Sequence, residues 1–435
     1  MTELNYSSKF KMRRFWNWFP LGLAYASLYM GRYSYIPAKE DLHGGLMGNE
    51  GLGIMTATGA IVYGVSFLLN GPLTDKIGGR KAMLIATLGS AIINLIMGAV
   101  LAFAWTDHFV LKMALLYGVN MYFQSFASVA IVKVNSNWFN ISERGVFGGI
   151  FGILIASGLF LAYTISPMVM KALFPGLPQF YFFIPGILLL IMFVTTIILI
   201  RDTPAEAGFP DFSTGTDTQF DSDEKIPLMT ILKKILTHPI VLTVAFTEMC
   251  TGILRDGMFH WFGAYSVHSS HPGVRSMLGI GLFLAGASGS LTAGFISDKL
   301  FDSRRPPVAA LLYALMTLTL IAGALVMYFI PESSSLKPFI IFGIVIVMAF
   351  GVIGTHGVLS GAATADFGGK QATATATGII DGFVYLGVAF QGLSLGFLTD
   401  HSWNYWFPFL IPFAIIGFIL SFKIRNVKPK LKSAH

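Results

Sequence analysis

The stretch Gly71-Pro-Leu-Thr-Asp75-Lys76-Ile-Gly-Gly-Arg80-Lys81 forms a short polar loop between two long apolar runs, 51–73 and 81–104. A second loop, Gly294-Phe-Ile-Ser-Asp298-Lys299-Leu-Phe-Asp-Ser-Arg304-Arg305, stands between the apolar runs 276–297 and 307–330. Gly71 and Asp75 each lie 223 positions before their counterparts Gly294 and Asp298. The same shift carries Arg32 onto Arg255, Lys133 onto His356 and Glu143 onto Asp366. One such pair would mean little. Several at one offset mark an internal duplication.

Outward from these loops the chain is apolar. Of its 435 residues 54% are hydrophobic and 12% charged, about half the charged share of a soluble domain. Twelve runs are long enough to span a bilayer: 15–37, 51–73, 81–104, 110–134, 145–170, 179–200, 240–265, 276–297, 307–330, 338–360, 371–398 and 404–423. The predicted fold is an all-α membrane protein, with twelve transmembrane helices in two pseudo-symmetric six-helix halves. The polar interruption 201–239, with Pro204, Pro210, Gly215 and the run Asp221-Ser-Asp223-Glu224, reads as a cytoplasmic linker between halves 1–200 and 240–435. The 47 glycines suit close helix approach. With both termini inside, cytoplasmic segments hold 21 of the 29 lysines and arginines, and outer loops hold five (Lys39, Lys112, Lys171, Arg275 and Lys337). That asymmetry orients the chain with cytoplasmic termini. It also explains the net charge of +7 as a topology signal spread over loops rather than a nucleic-acid footprint.

Arg32, Lys133 and Arg255 are the three cations left within spans. Arginine cannot shed its charge, and a charge at that depth persists only when it faces a bundle interior or a watery cavity. In Tyr25-x-x-x-Tyr29-x-x-Arg32 the spacing puts both tyrosines and the guanidinium on one helix face; Tyr33 and Tyr35 are expected to point elsewhere, as lipid-interface aromatics. Two arginines, one per half, offer bidentate donors to a carboxylate or phosphate. An internal carboxylate such as Asp256, Glu248 or Asp381 is the competing partner, although adjacent helix positions such as Arg255 and Asp256 do not face each other.

The first loop resembles the signature of the major facilitator superfamily between its second and third spans. The likeness narrows at Tyr25-x-x-x-Tyr29-x-x-Arg32, Tyr63-Gly-x-Ser66, Asn137-Trp138-Phe139 with Glu143-Arg144-Gly145, Arg201-Asp-Thr-Pro204-x-x-x-Gly208, Leu254-Arg255-x-Gly257, and Thr377-Gly378 through Tyr385-Leu386-Gly387. These resemble the organophosphate:phosphate antiporter family, which includes glycerol-3-phosphate and hexose-6-phosphate transporters. The resemblance implies that Arg32 and Arg255 bind a substrate phosphate from opposite halves, with Tyr25, Tyr29, Tyr63 and Tyr385 lining the cavity, and that the halves rock about it. Tyr33 stands where sugar-phosphate carriers usually have lysine or another polar partner, and Phe67 and Ile155 stand where a lysine and a histidine would fall.

Gln124, His356 and Gln391 are further polar candidates for substrate contact, and Asn70 and Asn94 read as helix–helix contacts. Glu248, Asp256, His260 and Asp381 form a titratable set fit to carry protons or meet a substrate cation. Asp75, Arg80, Glu143, Arg144, Asp298 and Asp366 are the expected gating groups; Lys133 joins them through a gate or a charge network with Glu143. The function expected is secondary transport of a small organic anion, most simply a phosphorylated metabolite exchanged for phosphate. The alternative is proton-coupled symport of a zwitterion or polycarboxylate, such as an amino acid, hydroxy acid or siderophore-like chelate. No enzyme chemistry, cofactor or metal is expected: no phosphate-cradling Gly-Lys-Ser/Thr loop occurs, and His268 with His271 lacks a third ligand. Cys250 is the one cysteine, so no intrachain disulfide forms. No cleavable signal peptide is visible, because the first apolar segment is too long. A monomer in a bacterial inner membrane is the expected setting.

Overall fold

A computed structural model describes residues 6–427, apart from 37, 39–41, 43–45, 48, 141–142, 211–227, 270–273 and 275–276. Among the described residues all regular structure is helical. Twelve long helices follow one another: α1 (Ser8–Tyr33), α2 (Asn49–Ile77), α3 (Gly79–Ala102), α4 (Phe109–Trp138), α5 (Arg144–Phe160), α6 (Phe180–Leu199), α7 (Pro239–His268), α8 (Leu278–Leu300), α9 (Arg305–Phe329), α10 (Lys337–His356), α11 (Thr364–His401) and α12 (Trp406–Lys423). α5 continues through a π turn, Leu161–Ile165, into Ser166–Leu173, and a second π turn, Gly357–Ala363, follows α10. The acidic centre of the expected linker lies outside the described residues; its end forms a short helix, Leu228–Leu236.

Among the described residues ten helices are long and apolar enough to cross a membrane on those grounds alone. α1, with 26 residues, and α7, with 30, complete the twelve. They read as less apolar because they carry the tyrosines, Arg32, Glu248, Arg255 and Asp256 that face inward.

Local chemistry sets the ends. α1 starts at Ser8 rather than near 15, because the Ser7 hydroxyl accepts from the Phe10 amide (3.2 Å) and caps a first turn too basic for the bilayer. α2 runs past the expected 73 to Ile77, where Gly78 turns the chain at φ +92°. Only glycine takes that conformation cheaply, and a Cβ there would also lie 2.5 Å from Asp202 Oδ2. The equivalent turn after α8 passes through Asp302 and Ser303 at φ 49° and 62°, and Asp298 there takes Arg305 Nη1 (2.5 Å) and Ser303 Oγ (3.1 Å).

The Arg201-Asp202 segment closes the cytoplasmic end of the first six helices. Its backbone exchanges hydrogen bonds with Asn17 of α1 (Arg201 N to Oδ1, 2.8 Å; Nδ2 to Arg201 O, 3.2 Å) and accepts from Trp138 Nε1 of α4 (3.1 Å). Asp202 Oδ1 accepts the Arg80 amide at 2.7 Å and so caps α3 from a distant segment.

The two groups of six helices meet along α2 with α11 and α5 with α8. Glycine makes these approaches possible. A Cβ at Gly378 would lie 2.4 Å from the Phe67 carbonyl oxygen, and one at Gly152 would overlap Ser290. Both contacts run beside the buried polar centre.

Burial raises the Asp202 carboxyl above its usual range, ahead of the opposing Arg80 amide bond. Ionisation there costs folding free energy, and the cost is relieved as pH falls through the raised value. Asp202→Ala is expected to lose about 1 kcal/mol with the cap. Asp202→Asn keeps the acceptor and is expected to melt at or above wild type at neutral pH, the gap closing in acid. Thermal unfolding in detergent checks this; an Asn variant falling as far as Ala contradicts it.

Candidate functional site

Tyr25, Tyr29 and Arg32 share the inward face of α1, as one face of an α-helix requires. Arg32 is 2% exposed, and each side of its fork is engaged. Nε donates to Gln124 Oε1 of α4 (2.9 Å), Nη1 to Tyr385 Oη of α11 (3.1 Å) and Nη2 to Tyr63 Oη of α2 (2.5 Å). The guanidinium also lies 4.7 Å from the Tyr29 ring centre and 4.5 Å from that of Tyr63. Every partner is neutral. Among the described residues no carboxylate pairs with Arg32.

Arg255 of α7 faces the same tyrosines. Its guanidinium lies 5.5 Å from the Tyr385 ring centre, so Tyr385 touches one arginine through its hydroxyl and the other through its ring. Arg255 Nε donates to Asp256 Oδ1 at 3.0 Å. The expectation that neighbouring helix positions do not meet fails here, because the long arginine side chain folds back over one residue. Among the described residues Arg255 Nη2 is buried without a hydrogen-bond partner, which is costly for a charged donor.

Tyr25 packs edge-on against Tyr29 (5.5 Å), and Tyr63 against Tyr385 (4.4 Å). Tyr33 and Tyr35 do not face lipid. Tyr33 is buried between Tyr163 of α5 (5.5 Å, stacked) and His260 of α7 (5.8 Å), and Tyr35 bonds Thr56 Oγ1 (3.0 Å) beside Tyr117. Tyr33 follows Tyr29 by four residues, so the heptad-like stripe already contained the signal for it.

The titratable set divides. Asp256 Oδ2 lies 3.8 Å from His260 Nδ1. His356 is not beside the arginines but meets Glu248 Oε2 through Nδ1 (2.5 Å), with Thr251 bridging Glu248 to Tyr313. Asp381 of α11 accepts from Ser128 (2.6 Å) and from Ser360 in the π turn (2.5 Å). Neither serine is distinguishable in the sequence from the many that bond their own helix. Gln391 is buried on α11 with Nε2 unpartnered. Asn70 bonds Ser125 (2.7 Å) and Asn94 bonds Asn120 (3.2 Å), both between helices.

The expected gating residues fall into separate contacts. Asp75 spans from α2 to α11: it accepts from the amides of Ala374 (3.2 Å) and Thr375 (2.7 Å) and from the Thr375 hydroxyl (2.7 Å), while Lys133 Nζ lies 2.7 Å away. Lys133 therefore serves Asp75, not Glu143. Glu143 instead holds Arg14 through both oxygens (3.0 and 3.1 Å) and accepts from Tyr6 (3.3 Å). Burial and Glu143 push the Tyr6 phenol up to about 12. Arg80 donates to the Ile197 carbonyl of α6 (2.7 Å), within the first six helices rather than across to the second. The side chains of Arg144, Asp366 and His268, and residue His271, lie outside the described residues.

A buried guanidinium held by neutral groups, with a second one carrying an unengaged donor, can receive an anion between them. Among proteins of known family, a family model described as Major Facilitator Superfamily matches residues 21–390. The glycerol-3-phosphate transporter of Bacillus subtilis is 26% identical over 419 residues, covering 91% of this chain and 89% of its own. A probable hexose phosphate transport protein of Chlamydia trachomatis is 25% identical over 455 residues, covering 98% and 93%. The membrane sensor protein UhpC of Escherichia coli is 26% identical over 404 residues, covering 90% and 87%.

Tyr63→Phe and Tyr385→Phe each delete one acceptor from Arg32. Each is expected to lower unfolding stability by about 1.5–3 kcal/mol, the range for hydrogen bonds to charged groups. Melting temperatures unchanged in both variants would contradict these contacts.

Proposed function

The chain belongs to the Major Facilitator Superfamily, and we propose that it exchanges a small phosphorylated metabolite for inorganic phosphate. It is an integral, multi-pass membrane transport protein rather than an enzyme. The observation that carries the substrate reading is the arginine pair around Tyr385: Arg32 satisfied by neutral partners only, Arg255 with Nη2 unengaged. The names of the glycerol-3-phosphate and hexose phosphate relatives favour phosphate over carboxylate.

In this reading the halves 1–200 and 240–435 rock about the pair. An arriving phosphate takes the Arg255 Nη2 donor and displaces neutral acceptors from Arg32, which draws α1 and α7 together. Asp75 is the cytoplasmic latch. Its bonds to Ala374 and Thr375 tie α2 to α11, and Lys133 Nζ, 2.7 Å away, orients the carboxylate. Opening to the cytoplasm breaks these bonds together. The site includes Tyr25, Tyr29, Tyr63, Tyr385 and Gln124 as lining; both termini lie in the cytoplasm of a bacterial cell, and the unit is a monomer in the inner membrane.

Proton-coupled symport is the second reading, favoured by the buried Glu248–His356 pair and by Asp381, whose bonded partners are two serine hydroxyls. Proteoliposomes separate the two. Exchange predicts efflux of internal labelled phosphate only when external phosphate or a phosphate ester is supplied, with Arg32→Lys lowering it about 10- to 100-fold, because a point charge cannot replace the fork. Uptake driven by an acid-outside gradient without internal phosphate would contradict it. Asp75→Ala is expected to change the turnover rate by a larger factor than it changes the KM for phosphate; a normal rate would remove Asp75 from the latch.

A further inference from the structure

Asp256 is hard to reconcile with a site built for a simple dianion. It is 5% exposed and sits next to Arg255, among the tyrosines. One oxygen takes Arg255 Nε, and the other makes no hydrogen bond among the described residues and lies 3.8 Å from His260 Nδ1. His260 in turn lies against the Tyr33 ring (5.8 Å between ring centres), and the Arg255 guanidinium lies 5.5 Å from the Tyr385 ring centre. If Asp256 served only to orient Arg255, one oxygen would suffice, and the second would be better bonded than left toward the tyrosines. It also halves the positive charge the two arginines supply. Asp381, one helical turn before Tyr385 on α11 and bonded by two serines, is a further buried carboxylate.

Beside this carboxylate, beyond His260, the surroundings are aromatic. Tyr33 is flanked by Tyr29 (5.9 Å between ring centres), Tyr163 (5.5 Å) and His260 (5.8 Å). Aromatic faces beside a carboxylate suit an organic cation, since the ring quadrupole and the carboxylate both attract positive charge while tolerating its alkyl stem. Asp256 is bonded to Arg255 through Oδ1, while Oδ2 lies towards His260, which packs on Tyr33; the centre therefore has an arginine end at Arg32 and a carboxylate and aromatic end beyond Arg255.

From this polarity we propose that the cargo is a zwitterion: a short phosphate monoester or phosphonate bearing an ammonium group. Its phosphate lies between Arg32 and Arg255, and its ammonium lies against Asp256 Oδ2 and the Tyr33 ring. Such a molecule carries two negative charges and one positive, a net charge that matches two arginines and one carboxylate. This assignment rests on the phosphate-exchange reading above and narrows it.

The test compares two esters of equal size. Proteoliposomes holding wild-type protein and labelled inorganic phosphate are challenged with O-phosphoethanolamine or with n-propyl phosphate, which puts a methyl group where the ammonium stands. The amine ester is expected to drive phosphate efflux with a kcat/KM at least about tenfold higher, because a site built around the ammonium leaves Asp256 unpaired with the methyl analogue. Asp256→Asn is expected to bring that ratio towards one, whereas a carboxylate that only orients Arg255 would lower both rates equally. Thermal stabilisation of the wild-type protein by the two esters in detergent gives the same comparison should the variant fail to fold. Propyl phosphate exchanging as well as the amine ester would overturn the zwitterion assignment and leave phosphate exchange standing. Failure of both esters and of phosphate itself to exchange would overturn both.

Discussion

Arg32 carries a charge that it cannot release and that no described carboxylate neutralises. Burying it within a membrane-spanning segment costs up to about 3 kcal/mol even on the mildest scale, so the surrounding helices must supply its solvation. They do so with an amide oxygen from α4, two phenol oxygens from α2 and α11, and two aromatic faces. Four helices are thereby fixed around one side chain. Tyr385 extends the arrangement to Arg255 and so couples the arginine of the first six helices to that of the second.

The scaffold around this centre is closely packed. Glycines at 71 and 378 let α2 and α11 touch backbone to backbone, and Asp75 closes that seam with bonds to two amides and a hydroxyl. The first six helices are sealed independently by the Arg201-Asp202 segment, which joins α1, α3 and α4. On the transport reading proposed above, the rocking of the halves would be taken up at this seam, which depends on a few polar bonds.

Much of this was legible in the sequence, for physical reasons that differ by residue. The twelve spans follow from apolar length, and Arg32 and Arg255 stand out because a span tolerates so few charges. The 223-residue shift paired them before any geometry was known. Side-chain reach was not legible. Lys133 bonds Asp75 rather than Glu143, Arg255 folds back onto Asp256, and His356 turns to Glu248, because long side chains choose among partners several ångströms apart and sequence spacing does not rank them. Tyr33 faces Tyr163 and His260 rather than lipid because the inward face of α1 is wide enough to include it. Asp202 escaped notice as a cap because it acts on a helix more than a hundred residues away. The gap is one of tertiary contacts, not of helices.

The central claim is that an anion sits between the two arginines, and crystals soaked with arsenate, whose arsenic scatters anomalously, test it directly. The account predicts an arsenic peak within hydrogen-bond reach of both guanidinia, with Arg255 Nη2 engaged and the Tyr385 hydroxyl displaced from Arg32. An arsenic peak elsewhere, with Arg32 still held by Gln124, Tyr63 and Tyr385 and Arg255 Nη2 untouched, would contradict it.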